Sequence, residues 1–318
     1  MKVIAKLAIP LLAAALALAA NFPAQAASPA YNKSQQKGSH NTEQRDETLT
    51  EALHFDSNKP YEGGVRNLEF DLVLSNEFLG PDDDWASTLQ HDGAYDWKKA
   101  TLRDALLILH NWHLADPGHD VVTVSLDLKN APGDDATYTR KVEQTFIETL
   151  GRENLYAPGM LQGNADTLLD GARAQGWPTI DKLKGKFILV FTGADSDKND
   201  PVTRRREYLS KDTKQRLAFV DIDQRKAGND LNNKPYTDGN RVFINIQFGS
   251  RGWCELALAA PGRGFATRAY TLNNENDWNA ALRATVNILA TNKVRGHSWA
   301  KVGKAPIVPA PVPGKCGS

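Results

Sequence analysis

Five side chains of this 318-residue sequence could carry acid–base or metal chemistry: His40 in Gly38-Ser-His-Asn41, Glu69 and Asp71 in Asn67-Leu-Glu-Phe-Asp71, His91 in Leu89-Gln-His-Asp-Gly93, and Asp127 in Ser125-Leu-Asp127. Three carboxylates gathered at one place repel one another unless a cation neutralises them or some hold protons. A divalent metal is the simplest resolution, and oxygen donors favour hard Ca²⁺ or Mg²⁺ over zinc. Each histidine sits in a short polar stretch after a strand-like run, and two such imidazoles can serve both ends of a proton transfer. Two histidines, a metal and nearby cations suit phosphoryl transfer, where negative charge must be spread and an oxygen leaving group protonated. Ordinary salt bridges from Arg66, Lys129 or Arg268 would also account for the acids, and a solvated loop rim for the histidines.

Strands and helices alternate along the chain. The spacing predicts strands over 67–73, 121–129, 186–191, 218–223, 242–248 and 265–270, and helices over 101–115, 135–150, 166–175 and 278–289. Period two places Leu68, Phe70 and Leu72 on one side of the first strand and Glu69 and Asp71 on the other. It likewise opposes Val122, Val124, Leu126 and Leu128 to Thr123, Ser125, Asp127 and Lys129, and pairs Asp221 with Asp223, Asn245 with Gln247, and Arg268 with Tyr270. Strands apolar toward helices and increasingly charged toward one end describe a single-domain α/β fold, a (β/α)8 TIM-type barrel with its site at the C-terminal mouth.

Lys2 and Lys6, the apolar run from Leu7 to Ala20 and the Ala-Gln-Ala-Ala27 site read as a secretory signal peptide over residues 1–26. The run is too short to span a bilayer and no later stretch is long enough, so a secreted or periplasmic protein is expected. The whole chain balances 38 Lys+Arg against 38 Asp+Glu, which gives no field for non-specific nucleic-acid binding. A monomer is expected. Export would place Cys254 and Cys316, the two cysteines, where a disulfide persists. The bridge would pin the Pro-rich tail, 301–318, to the barrel of residues 27–300, and closing so long a loop stabilises by roughly 4 kcal/mol in the chain-entropy description; two free thiols are the alternative.

Gly38-Ser-His-Asn-Thr-Glu43, Gly64-Val-Arg-Asn-Leu-Glu-Phe-Asp71 and Val122-Thr-Val-Ser-Leu-Asp-Leu-Lys129, in this order, resemble the X-region of calcium-dependent phosphoinositide-specific phospholipase C, and most of all its compact single-domain bacterial branch. Gly176-Trp-Pro-Thr-Ile180, Leu183-Lys-Gly-Lys-Phe-Ile-Leu189 and Gly264-Phe-Ala-Thr-Arg-Ala-Tyr270 extend the resemblance, which runs from about residue 33 to 295. The resemblance implies that Asn41, Glu69, Asp71 and Asp127 bind Ca²⁺, that His40 stabilises the pentavalent phosphoryl transition state, and that His91 protonates the departing diacylglycerol oxygen. It implies an inositol phospholipid as substrate, transient contact with a membrane surface, and Lys129, Arg268 and Tyr270 as headgroup contacts.

The sequence departs from the family pattern in places. Asp127 stands where the eukaryotic enzymes usually have Glu, and the stretch from Asp71 to His91 is longer than theirs. The strand ending Val190-Phe191-Thr192 lacks the second phosphate-reading lysine of the animal enzymes. A glycerophosphodiester phosphodiesterase is the nearest alternative chemistry, although that family opens with His-Arg-Gly rather than His40-Asn41-Thr42. A catalytically silent binding module on the same barrel is another. Asp195-Ser-Asp-Lys-Asn-Asp200 starts like an EF-hand loop but has Asp200 where Gly is needed. Arg204, Arg205 and Arg206 could meet anionic lipid or form a solvated helix face, and Phe78, Leu79, Trp85, Tyr95 and Trp97 could form an interfacial rim or pack in the core. His110 and His113 fit packing or surface positions on their helix.

Overall fold

The computed structural model describes residues 28–74, 87–89, 100–128, 135–193 and 201–316. Within them the strands are β1 (Ser34–Ser39), β2 (Val65–Leu74), β3 (Ser87–Leu89), β4 (Val122–Leu128), β5 (Phe187–Thr192), β6 (Phe219–Asp223), β7 (Phe243–Gln247), β8 (Ala266–Tyr270), β9 (Ile288–Thr291) and β10 (Ile307–Pro309). Each neighbouring pair along β1-β9-β8-β7-β6-β5-β4-β2 is parallel, and β1 pairs with β2 to close the circle. The result is an eight-stranded parallel TIM-type barrel in a single domain, with β3 and β10 added antiparallel on β2 and β1.

The alternation read from sequence holds where it matters. Leu68, Phe70 and Leu72 of β2 and Val122, Val124, Leu126 and Leu128 of β4 are buried in the layer between the barrel and its helices. The helix Leu102–Ala115 faces this layer with Leu102, Ala105, Leu106 and Leu109, one stripe at helical spacing. Thr101 and Asp104 close its first turn as a reciprocal capping box. Burying each such leucine stabilises by roughly 1.5–3 kcal/mol.

Two barrel strands escape the alternation rule. β1 reads Ser-Gln-Gln-Lys-Gly-Ser yet is buried along its whole length, because the folded chain supplies partners for Gln35 and Lys37. Gln35 Nε2 donates to the Leu282 and Val286 carbonyls, and Lys37 Nζ to those of Val294 (2.5 Å) and Tyr61 (3.3 Å). β9 overturns the expected helix over 278–289. The helix runs Glu275–Arg283, Thr285 takes φ +55°, and Ile288–Thr291 leaves as the strand that pairs with β1 and β8. A four-residue apolar run continues a helix and begins a buried strand equally well by periodicity.

The tail is also more ordered than an extended polyproline segment. Residues 307–309 register against Gln36, Gln35 and Ser34 of β1, and Cys254 and Cys316 are disulfide-bonded with Cα atoms 5.7 Å apart. Residues 1–26, the proposed signal peptide, lie outside the described residues. No helix among the described residues is long and apolar enough to cross a membrane.

The N-terminal end of the barrel interior is filled by aromatic rings. Trp177 stacks on Tyr31 (5.1 Å) and Phe219 (5.8 Å) and meets Phe243 edge-on at 5.3 Å. The Tyr31 hydroxyl reaches Thr123 Oγ1 at 2.6 Å. This floor leaves only the other end open to chemistry.

Candidate active site

At the C-terminal end the inward positions change from rings to polar groups. Parallel register aligns Asn67 with Thr123, Glu69 with Ser125, Asp71 with Asp127, and Asp127 with Thr192. Across the barrel it aligns Asp223 with Asn245, Asn245 with Arg268, and Gln247 with Tyr270. Thus β2, β4 and β8 deliver Glu69, Asp71, Asp127, Arg268 and Tyr270 to one mouth, as the period-two reading expects.

His40 and Asn41 follow β1 directly. Gly38 lets that strand come close, since a Cβ there would lie 2.9 Å from Asn67 Oδ1 and 3.3 Å from the Ala290 backbone. Asn41 adopts a left-handed conformation (φ +48°), which asparagine tolerates better than most residues. The turn aims its backbone N–H at Glu69 Oε2, 3.2 Å away, while the next residue's hydroxyl, Thr42 Oγ1, accepts the Glu69 N–H at 3.1 Å.

Glu69 is the hub. Its Oε2 accepts from Arg268 Nη2 at 2.5 Å and lies 3.9 Å from His40 Nε2. Burial works to raise its pKa, but the Arg268 charge, His40 and the Asn41 N–H together hold the carboxyl below the ordinary range. Arg268 spends its other donors inside the barrel, Nε on Asn67 Oδ1 (3.2 Å) and Nη1 on Asn245 Oδ1 (2.9 Å), and is 4% exposed. The guanidinium is therefore a fixed positioning group for Glu69.

His40 is gripped from two sides. Its Nδ1 lies 2.7 Å from Asn292 Oδ1, and its ring stacks on Tyr270 at 5.6 Å with 18° between planes. Donation from Nδ1–H to that carbonyl oxygen leaves the Nε2 lone pair facing the mouth. Burial, opposed by Glu69 and assisted by Arg268, lowers the His40 pKa, so the ring is neutral near pH 7. Burial also pushes the Tyr270 phenol up to about 12, and the Arg268 guanidinium lies 5.6 Å from that ring.

Asp71 is 1% exposed and Asp127 is half-buried beside it. Gly193 makes room for Asp127: it holds φ +122°, and a Cβ there would lie 2.4 Å from Asp127 Oδ1. His91 and Lys129 lie outside the described residues, as do Asp195–Asp200 and the aromatic residues Phe78, Leu79, Trp85, Tyr95 and Trp97.

Sequence reasoning missed several mouth residues. Asn67 shares the inward face of Glu69, so extending the alternation by two residues finds it, and Asn245 is already paired with Gln247 by period two, although nothing in the spacing marks it as a partner of Arg268. Asn292 and Glu43 sit on irregular turns and carry no periodic signal. Arg225 follows β6, and its Nε and Nη2 grip both oxygens of buried Asp223 at 3.2 and 3.0 Å. Its side chain is 41% exposed, and the hydrogen bonds to Asp223, with the Asp223 and Asp127 charges, raise its pKa. His113, by contrast, bonds His119 at 3.0 Å away from this mouth, near the start of β5.

The donors suit a hard cation in kind. Asn41, Glu69, Asp71 and Asp127 offer only oxygen. Glu43, 1% exposed in the same turn as Asn41, has no hydrogen-bond partner on either carboxylate oxygen, and burial pushes its pKa up to about 8. In this arrangement Arg268 neutralises Glu69, and no three of the described His, Cys, Asp and Glu side chains converge closely enough to hold a metal ion. The chemistry of the donor set thus fits calcium, with Glu69 turned toward Arg268.

Comparison with known proteins places this mouth in context. The model of a family described as phosphoinositide phospholipase C, Ca²⁺-dependent, matches residues 91–247, a span holding His91 and Asp127 but not His40, Glu69 or Arg268. A calcium-dependent phosphoinositol-specific phospholipase C from a Gram-negative Pseudomonas species shares the fold, with a TM-score of 0.67, 17% identity, and coverage of 89% of this chain and 96% of that one. The calcium-dependent phosphatidylinositol-specific phospholipase C of Streptomyces antibioticus gives a TM-score of 0.61 at 19% identity, covering 88% of this chain and 98% of that one. A search of the curated proteins finds no match. Residues 91–247 thus match the calcium-dependent phosphoinositide phospholipase C family, and the chain shares the barrel fold of these solved structures.

Proposed function

We propose that the protein is an exported phosphodiesterase that cleaves phosphatidylinositol-type lipids to diacylglycerol and a cyclic inositol phosphate. The observation that carries this reading is the buried His40–Glu69–Arg268 constellation at the barrel mouth, with Asp71 and Asp127 beside it.

Asn41, Glu69, Asp71 and Asp127 would hold calcium, which when bound lowers the pKa of the inositol 2-hydroxyl and offsets charge on phosphate. Arg268 keeps Glu69 ionised and oriented. His40 enters neutral with its proton on Nδ1 toward Asn292, takes up the inositol 2-hydroxyl proton at the free Nε2, and as imidazolium then holds that proton next to the phosphoryl oxygens as negative charge grows there. His91 gives its proton to the diacylglycerol oxygen. Tyr270, protonated at neutral pH, offers its ring as a flat wall against His40 and the inositol. The Cys254–Cys316 disulfide supports export, since such bonds persist outside the cytosol.

The test is release of soluble inositol phosphate from phosphatidylinositol vesicles by the purified protein, with excess Ca²⁺ and with chelator. Release is expected with calcium only, and His40→Ala is expected to lower it by about 10²–10⁴-fold. Cleavage of glycerophosphoinositol with intact lipid untouched, or wild-type turnover in His40→Ala, overturns the reading.

A further inference from the structure

On the outer wall, between the helix Pro201–Ser210 and the connection from β6 to β7, lies a cleft of about 340 Å³ that the chemistry above does not use. Arg206, Lys226, Lys234 and Arg241 surround it, and Leu209 and Pro235 contribute apolar surface. No acidic side chain is among its described lining residues. Arg241 is paired with Asp238 at 2.6 Å, but Arg206, Lys226 and Lys234 are exposed and stand in no ion pair among the described residues. Three unpaired cations around one small concavity repel one another, and an anion seated among them relieves that cost. The volume lies at the low end of small-ligand pockets, which suits a phosphate-bearing headgroup.

The position narrows the source of that phosphate. Lys226 lies in the turn Gln224–Ala227, which begins where β6 ends at the mouth, and Arg225 of the same turn sits on the mouth side against Asp223. The cleft wall is anchored to the same end of the barrel, because buried Arg205 donates to the carbonyl of Gly193, just past β5, and to Asp221 of β6 at 2.7 Å. Arg241, just before β7, marks the opposite rim toward the floor, so a bilayer that presents a lipid headgroup to the mouth brings a neighbouring headgroup to the Lys226 rim of the cleft.

We propose that this cleft binds the phosphate of an anionic phospholipid adjacent to the substrate and holds the mouth on anionic membrane. The inference rests on the lipid substrate proposed above, and it extends that reading to a second, uncleaved lipid. It differs from diffuse attraction because the charges converge on a cavity while the whole chain balances 38 basic against 38 acidic residues.

Vesicles without inositol lipid separate the two claims. Wild-type protein should co-sediment with phosphatidylcholine vesicles containing phosphatidylglycerol and much less with phosphatidylcholine alone. Arg206→Gln/Lys226→Gln/Lys234→Gln should weaken that binding on the order of 100-fold, roughly fivefold per charge. Keeping the charges, as Arg206→Lys/Lys226→Arg/Lys234→Arg, should restore it, and near-ultraviolet circular dichroism confirms folding. Lys301→Gln/Lys304→Gln/Lys315→Gln removes equal charge elsewhere and should change little. Equal losses in both neutralised triples, no preference for phosphatidylglycerol, or displacement by submillimolar inorganic phosphate would overturn the proposal. Cleavage of soluble short-chain phosphatidylinositol reports on the catalytic reading separately, so either idea can fail while the other stands.

Discussion

The two ends of the barrel interior are built from the same strands and obey opposite rules. At the floor, Tyr31, Trp177, Phe219 and Phe243 interlock, and the single polar atom of note, the Tyr31 hydroxyl, is satisfied by Thr123. At the mouth, two steps along β7 take Phe243 to Asn245, and two along β6 take Phe219 to Asp221. The floor is held by apolar area and close packing. The mouth is held by a chain of charge-assisted hydrogen bonds from Asn245 through Arg268 to Glu69, where each group is stable because its neighbour is present. Stability and chemistry are thereby separated along each strand.

This contrast can be broken first at the floor. Trp177→Ala should cost about 3–5 kcal/mol, read by denaturant unfolding, while turnover per folded molecule stays near wild type. A fall in turnover matching the fall in stability would show that the two ends are not independent.

At the mouth the expected loss is smaller and is reversible by chemistry. Arg268→Gln leaves Glu69 buried without its cation and should destabilise by on the order of 3 kcal/mol at neutral pH. The loss should shrink as pH falls and Glu69 takes up a proton. Adding Glu69→Gln should recover most of the stability and none of the activity, because removing both partners is far less costly than stranding one. If the double variant is as unstable as the single, Arg268 acts through packing rather than charge.

The smallest effect is the pH dependence from His40. Its native pKa lies below the ordinary value of about 6.5, so the unfolded chain binds a proton that the native chain does not. This contribution to stability is complete above about pH 6.5 and is lost as pH falls below it, with a slope of at most about 1.4 kcal/mol per pH unit. Glu69, also lowered, adds a second loss at more acid pH, below the ordinary glutamate value of 4.5. Comparing Tm for wild type and His40→Asn between pH 8 and 5.5 isolates the first; identical curves would show that His40 titrates alike in both states.

Much of this was legible in the chain. Strict alternation in β2, β4 and β8 carried Glu69, Asp71, Asp127 and Arg268 to one face without reference to any partner. It failed at β1, whose Gln35 and Lys37 are polar yet buried, since carbonyls that satisfy them come from residues some 250 positions away. It failed again at β9, where Ile288–Thr291 is too short for its period to be read. Asn292 and Glu43 were invisible for a related reason: turn residues show no spacing, and only the closed barrel brings Asn292 to His40.

Local sequence by itself determined which faces are apolar and that the site draws on oxygen donors and histidine. Those properties depend on side-chain type and on periods of two and 3.6 residues, which act within a few positions. Tertiary structure alone decided that Glu69 is shared by Asn41, His40 and Arg268, that the His40 tautomer is set from β9, and that three cations from separate segments converge on one cleft of the outer wall. Each of these depends on distances between residues far apart in the chain, and such distances exist only once the barrel has closed.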